Sequence, residues 1–302
     1  MGIDVQGLRF LLGAHRSGVR FARTATIGRQ ELFLDLTLLQ GTLRSFGMAR
    51  SDTEVSRILT QAEGFAEPLL QLLGAEHICS IDASSYEGAS IVHDMNVPIP
   101  DSLKSAFSVV IDAGTLEHIF DFPTAIKNCM EMVQEGGHLL LMTPANNFMG
   151  HGFYQFSPEL FFRVCSEPNG FEIGRAILCE VDPDAQWYEV VDPARARRRV
   201  ELVNSRPAYL LIQARKIRDV PILAVAPQQS DYTAAWQDRG LERPAGPMTW
   251  RRPLPVRLLR SIGKRLRAAY RVAEPSGVAA RRLRPDKKVF IRGHWLPNEG
   301  TR

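Results

Sequence analysis

Over the first 215 residues, short apolar runs alternate with longer stretches of near-3.6 period, as strands interleaved with helices do. "VRFARTATIG" (19–28) reads as a strand that stops at Gly28, and "DLTLLQGTLRSFG" as a short helix closed by Gly47. "SDTEVSRILTQAEGFAEPLLQLLGA" opens on a Ser51–Asp52 cap with Glu54 three residues after Ser51, carries two helical stretches and ends near Gly74. Strands follow at "HICSIDAS" (77–84), ending at Asp82, and at "ASIVHDMN", ending at Asp94. Phe107, Val109, Val110 and Ile111 make the next strand. In "FPTAIKNCMEMVQEGG", Ala125, Cys129, Met132 and Val133 form a helical stripe that Gly136–Gly137 stops. "HLLLMTPAN" is a strand, and "SPELFFRVCSE" a helix capped by Ser157 with Pro158 at its first position. "GFEIGRAILCEV" and "PAYLLIQARKI" are two closing strands.

Short apolar strands separated by helices predict an α/β fold, its parallel sheet covered on both faces. The last two strands, with no helix between them, predict an antiparallel pair at one edge. In such a sheet the carboxyl ends of the strands open onto the ligand crevice. Asp82, Asp94 and the run Asp112–His118 all stand at strand ends, so the fold gathers them on one rim. After about residue 217 the texture turns dense in Pro, Gly and polar residues without a sustained period. The expected organisation is an α/β domain over 1–217 and an extension over 218–302.

Charge separates the same two regions. Residues 243–302 hold 16 Lys and Arg against 3 Asp and Glu, while the remainder carries 21 bases against 30 acids. Within the basic part, Leu259, Ile262, Leu266 and Tyr270 form one helical stripe, and Arg257, Arg260, Lys264, Arg267 and Arg271 form another. A cationic amphipathic helix over 253–272 fits an anionic membrane surface, an acidic partner or the protein's own acidic body. Sparse aromatic residues among these bases argue against nucleic acid. No apolar run approaches the length of a membrane span, and the N-terminal "MGIDVQGLRFLLGAHRSG" has no basic head and no cleavage signature. The expected location is cytoplasmic, peripheral to the membrane if the basic helix docks there. Cys79, Cys129, Cys165 and Cys179 lie in apolar runs without CxxC spacing and read as reduced core residues.

The stretch "SIDAS…HDMNVPIPDSLKSAFSVVIDAGTLEHIFDFPTAIKNCMEMVQEGGHLLLMTP" resembles the class I S-adenosylmethionine-dependent methyltransferases of the small-molecule type. The resemblance spans residues 19–215 and is strongest over 78–163. It implies a Rossmann-like, seven-stranded, mostly parallel sheet ordered 3-2-1-4-5-7-6 with its seventh strand antiparallel. It also implies S-adenosylmethionine as cofactor and a small molecule or a glycan or lipid precursor as methyl acceptor. By the same resemblance Asp82 binds the ribose hydroxyls and Asp94 and Met95 line the adenine. Asp112, Ala113, Gly114 and Thr115 would then lie beside the methionine part. The glycine-rich loop expected after the first strand is reduced to "ATIGRQE": Gly28 remains, Arg29 and Gln30 follow, and no acid precedes it. Ser108 stands where the family usually has Asp. The altered loop keeps a second reading open, a catalytically inactive relative that serves as a binding or scaffold module.

The bland alternatives are specific. Asp82 also reads as a cap of a strand–helix turn, and Asp94 as a turn residue before "NVPIP". His118 reads as a half-buried histidine holding its loop or as a site-lining residue and candidate base, since an imidazole titrates near neutrality. The loop "NNFMGHGFYQFSPELF" (146–161) returns to the same rim. It supplies His151 as a second catalytic candidate and Asn146 and Tyr154 as substrate-side candidates. His93, Asp94, His118 and His151 have no zinc-type ligand spacing, so no metal is expected.

Overall fold

The computed structural model describes residues 2–237 and the backbone of 290–292, and the basic segment 253–272 lies outside the described residues. The strands are β1 (Gly2–Ile3), β2 (Arg23–Ile27), β3 (Glu31–Leu32), β4 (His77–Asp82), β5 (Ile91–Val92), β6 (Phe107–Ala113) and β7 (Val133–Asn146), then β8 (Phe171–Glu180), β9 (Tyr188–Val190), β10 (Ala208–Lys216) and β11 (Phe290–Arg292). The helices are α1 (Val5–Arg16), α2 (Leu36–Ser45), α3 (Asp52–Thr60), α4 (Glu67–Leu72), α5 (Phe122–Met132), α6 (Pro158–Val164), α7 (Pro193–Ala196) and α8 (Ser230–Gln237).

The main sheet runs β11-β9-β8-β10-β7-β6-β2-β4-β5. From β5 to β7 every neighbour pair is parallel, whereas β10 runs antiparallel to both β7 and β8. Numbered by their order along the chain, the seven strands from β5 to β8 read 3-2-1-4-5-7-6 with the seventh reversed. That is the strand order and direction the resemblance implies. The closing pair does not form the edge, because β9 and β11 extend the sheet beyond β8.

Side-chain alternation along the central strands explains the two layers. Val109, Ile111 and Ala113 of β6, with Leu140 and Met142 of β7, join the apolar faces of α1 to α4 in one core. Val110, Leu139 and Leu141 point the other way, into a core shared with α5 and α6. With both faces covered, ligands are left the ends of the strands.

Local signals account for most element boundaries. Ser51 and Glu54 form a reciprocal capping box at α3, and Asp35, Asp121 and Ser157 cap α2, α5 and α6 through their side chains. Three expectations change. The N-terminal apolar run is α1, with Leu8, Phe10, Leu11 and Leu12 fully buried. The stripe of α5 ends at Met132, and Val133 already belongs to β7. The strand at 89–96 shrinks to Ile91–Val92, because Asp94 and Asn96 form a turn. Past residue 217, Ile222 is still buried in the core, and α8 contacts α7. Ser108, in its unusual position, exchanges hydrogen bonds with the backbone of Arg23, tying β6 to the start of β2.

Candidate functional site

The rim at the carboxyl ends of β2, β4, β6 and β7 divides into two parts. The first lies over β2 and β4, where the resemblance places the cofactor. Gly28 has φ +71 and donates its N–H to Ile81 O at 2.7 Å, so the turn after β2 is closed against β4. A left-handed conformation at this point explains why one glycine remains. Arg29 then reaches across the rim. Its Nε donates to Glu67 Oε1 at 2.7 Å, one terminal nitrogen donates to Glu87 O at 2.9 Å, and the guanidinium lies 4.0 Å from the centre of the Phe65 ring. Gln30 is buried, and its amide donates to Ile27 O, which also accepts from Thr115 Oγ1 at 2.6 Å.

Asp82 ends β4 half-buried, its Oδ1 accepting from Ser84 N at 3.2 Å. Asp94 is exposed, and its Oδ1 accepts from both the backbone and the side chain of Asn96, which hold its carboxyl below the usual range. Met95 is 4 % exposed and packs in the core beneath the rim. These residues fit S-adenosylmethionine at one end only. Asp82 offers a rim carboxylate for paired hydroxyls. At the amino-acid end, Arg29 and Gln30 stand where glycines would leave the approach open, and the acid beside them, Glu67, is paired with Arg29.

The second part lies over β6 and β7 and is an open cavity of about 270 Å³. Ala113 and Gly114 form its floor with Met142 and Pro144, and Phe33, Phe148 and Tyr209 form apolar walls. Asp4, Glu117 and His151 supply its ionisable lining. A few convergent polar groups in an apolar hollow are the usual make-up of a small-ligand site.

Asp112 organises this part from below. It is fully buried, and its Oδ1 accepts from the backbone N–H groups of Thr115 and Leu116, closing the turn that presents Glu117. Burial, with Glu117 nearby, raises the Asp112 carboxyl well above its usual range. Glu117 is 1 % exposed, and burial pushes its carboxyl up to about 7. Its Oε1 lies 3.4 Å from His151 Nε2 and 4.0 Å from His118 Nε2. The two imidazoles meet edge to face with centroids 5.0 Å apart. Burial, then the neighbouring His151, holds His118 below its usual range.

The 146–156 loop is fastened over the site by its backbone. Phe153 N and Tyr154 N both donate to Glu117 O, at 2.7 and 3.3 Å. Gly152, at φ +75, is pressed so close that a Cβ there would stand 2.8 Å from Glu117 O. Two substrate candidates have other work. Asn146 donates to Asn204 Oδ1 at 2.7 Å, and the Tyr154 hydroxyl donates to Phe120 O at 2.6 Å while its ring stacks on Phe156. Neither lines the cavity. His151 does, and His118 meets it edge to face without lining the cavity itself. Asp4, Phe148 and Tyr209 were missed as site residues. Only tertiary packing brings the N-terminus, this loop and β10 together, and no local spacing announces it.

No family model matches this chain, and no curated protein matches it. Among solved structures it is similar to a SAM-dependent methyltransferase from Thermotoga maritima, at 13% identity and TM-score 0.36, over 69% of this chain and 89% of that one. It is also similar to the branched-chain polyamine synthase from Thermus thermophilus, at 14% identity and TM-score 0.36, over 71% of this chain and 56% of that one. Likeness this distant leaves function to rest on the strand order and on the residues of the rim.

Proposed function

We propose that this chain is an S-adenosylmethionine-dependent methyltransferase whose acceptor, a small molecule or a glycan or lipid precursor, enters the cavity over β6 and β7. One observation carries the reading. The cavity abuts the Asp112–Thr115 turn at the carboxyl ends of parallel strands, in a sheet whose only reversed strand between β5 and β8 is β10. Bound beside it, over β2 and β4, S-adenosylmethionine would supply an electrophilic methyl group. Asp82 would accept from the ribose hydroxyls. Phe33, Phe148 and Tyr209 would hold the apolar part of the acceptor, and the Glu117–His151 end a hydroxyl or other oxygen. Positioning of this kind supplies much of the acceleration of a displacement.

A second reading is favoured by Arg29. A side chain fixed at three points across the rim fits a relative that has given up the cofactor and binds another ligand. Calorimetric titration of the full chain with S-adenosylmethionine and S-adenosylhomocysteine separates the two. The first reading expects micromolar binding, and Asp82→Ala should weaken it by about 1–3 kcal/mol without lowering the melting temperature. Absence of heat with either compound would leave the second reading.

The basic segment 253–272 would bring the enzyme to an anionic membrane surface, each base contributing about 1 kcal/mol near it. A full chain with Arg257, Arg260, Lys264, Arg267 and Arg271 replaced by Gln, which keeps β11 on β9, should then lose flotation with anionic vesicles and keep its melting temperature. Equal flotation of both chains would end this part of the proposal.

A further inference from the structure

Glu117 and His118 are neighbours in sequence, but His151 arrives from the next loop, 33 positions on. The fold places one donor atom of each within 4.8 Å of the others. Donor atoms that share an ion at about 2.0–2.2 Å stand roughly 3–4 Å apart. Glu117 Oε1 is already within that range of both imidazoles, at 3.4 and 4.0 Å. The rest is a rotation of two rings whose side chains are 40% and 50% exposed.

The buried carboxyls at this spot are incompletely satisfied. Glu117 Oε2 is buried and has no hydrogen-bond partner, and neither has Asp112 Oδ2. Among the described residues, no lysine or arginine pairs with either carboxyl. Isolated buried carboxyl oxygens are costly unless a proton, a partner or a cation satisfies them. A divalent cation held by Glu117 and the two imidazoles would give the Glu117 carboxyl the partner it lacks.

We propose that Glu117, His118 and His151 bind a divalent transition-metal ion at the edge of the cavity. Two imidazoles and one carboxylate suit zinc, iron(II), cobalt or manganese better than calcium or magnesium, which prefer all-oxygen sites. Three protein ligands leave positions open on the cavity side. An acceptor oxygen entering between Phe148 and Tyr209 would complete the coordination. The surroundings look built for the task. Asp112 fixes the turn that carries Glu117 and His118. The Glu117 carbonyl fixes the loop that carries His151, and Gly152 lets that loop approach. The ion would bind whether or not the methyltransferase reading holds, so the two fail separately.

The test uses the full chain, stripped with a chelator and desalted, without S-adenosylmethionine. Titration with Zn²⁺ by calorimetry, and with Co²⁺ by visible absorption, should show one ion bound at micromolar affinity or tighter. His118→Ala and His151→Ala should each lose more than the roughly 10–100-fold that changes outside the ligand set cost. Zn²⁺ should raise the melting temperature of the wild type and not of these variants. Both rings are exposed enough to be removed without a core defect, so they decide the matter even where Glu117→Gln fails to fold. Uptake of no ion by the wild type, or wild-type affinity in both histidine variants, overturns the proposal.

Discussion

Arg29→Ala tests whether that side chain blocks the cofactor crevice or serves a ligand in it. The substitution removes three contacts: the 2.7 Å bond to Glu67, the 2.9 Å bond to Glu87 O and the stacking on Phe65 at 4.0 Å. The Arg29 and Glu67 side chains are only 19% and 25% exposed, so the pair is less screened than an ordinary surface pair. We assign it about 1 kcal/mol after discounting for the remaining solvent. The bond to the carbonyl adds about 1 kcal/mol and the cation–π contact about 0.5–1 kcal/mol. The variant should therefore lose about 2.5–3 kcal/mol of stability, with a melting temperature lower by roughly 5–10 °C for a chain of this size. A double-mutant cycle with Glu67→Ala isolates the pair's share. Ligand affinity should move the other way. With the guanidinium gone the approach over Gly28 widens, and S-adenosylhomocysteine should bind at least as tightly as to wild type at a temperature where both are folded. A tenfold or greater loss of affinity, after correction for folded fraction, would refute the reasoning and make Arg29 a ligand-holding residue.

Two further outcomes are expected. Gly152→Ala forces a side chain into a left-handed position with its Cβ 2.8 Å from Glu117 O. It should cost at least about 1–2 kcal/mol in denaturant unfolding and weaken Co²⁺ uptake, while unchanged stability and uptake would show that the loop is not fastened there. Asp4 caps α1 by accepting from Gly7 N at 2.9 Å, yet burial raises its carboxyl above the usual range. Folding thus favours its protonated form, and that contribution is present at low pH and lost as pH rises through the folded-state value. Asn caps as well and carries no charge, so Asp4→Asn should melt higher than wild type at pH 7 and approach it below about pH 4. A constant difference across that range would deny the buried charge.

Much of the sheet could be read along the chain because its signals are local. Short apolar runs identified β2, β4, β6, β7, β8 and β10, and caps such as Ser51–Glu54 and Ser157–Pro158 marked helix starts within a few residues. The run of helices between strands implied a parallel sheet with both faces covered, and with it a rim that would gather Asp82 and Asp112. Where the local signal was weak or divided, the tertiary structure decided. The apolar run of α1 has no marker beyond Asp4 and acquires its meaning from the core it fills. Val133 fits the stripe of α5 as well as the first position of β7, and pairing with Phe107 settles it. The site depends still more on long-range contacts. That Arg29 faces Glu67 and Glu87, that Tyr154 turns to Phe120, and that His151 comes to rest beside Glu117 depend on hydrogen bonds between loops without a period. The sequence by itself determined which residues could stand on the rim, because strand ends are written in hydrophobic pattern. Only the tertiary structure decided which of them meet, because the bonds that close these loops join residues dozens of positions apart.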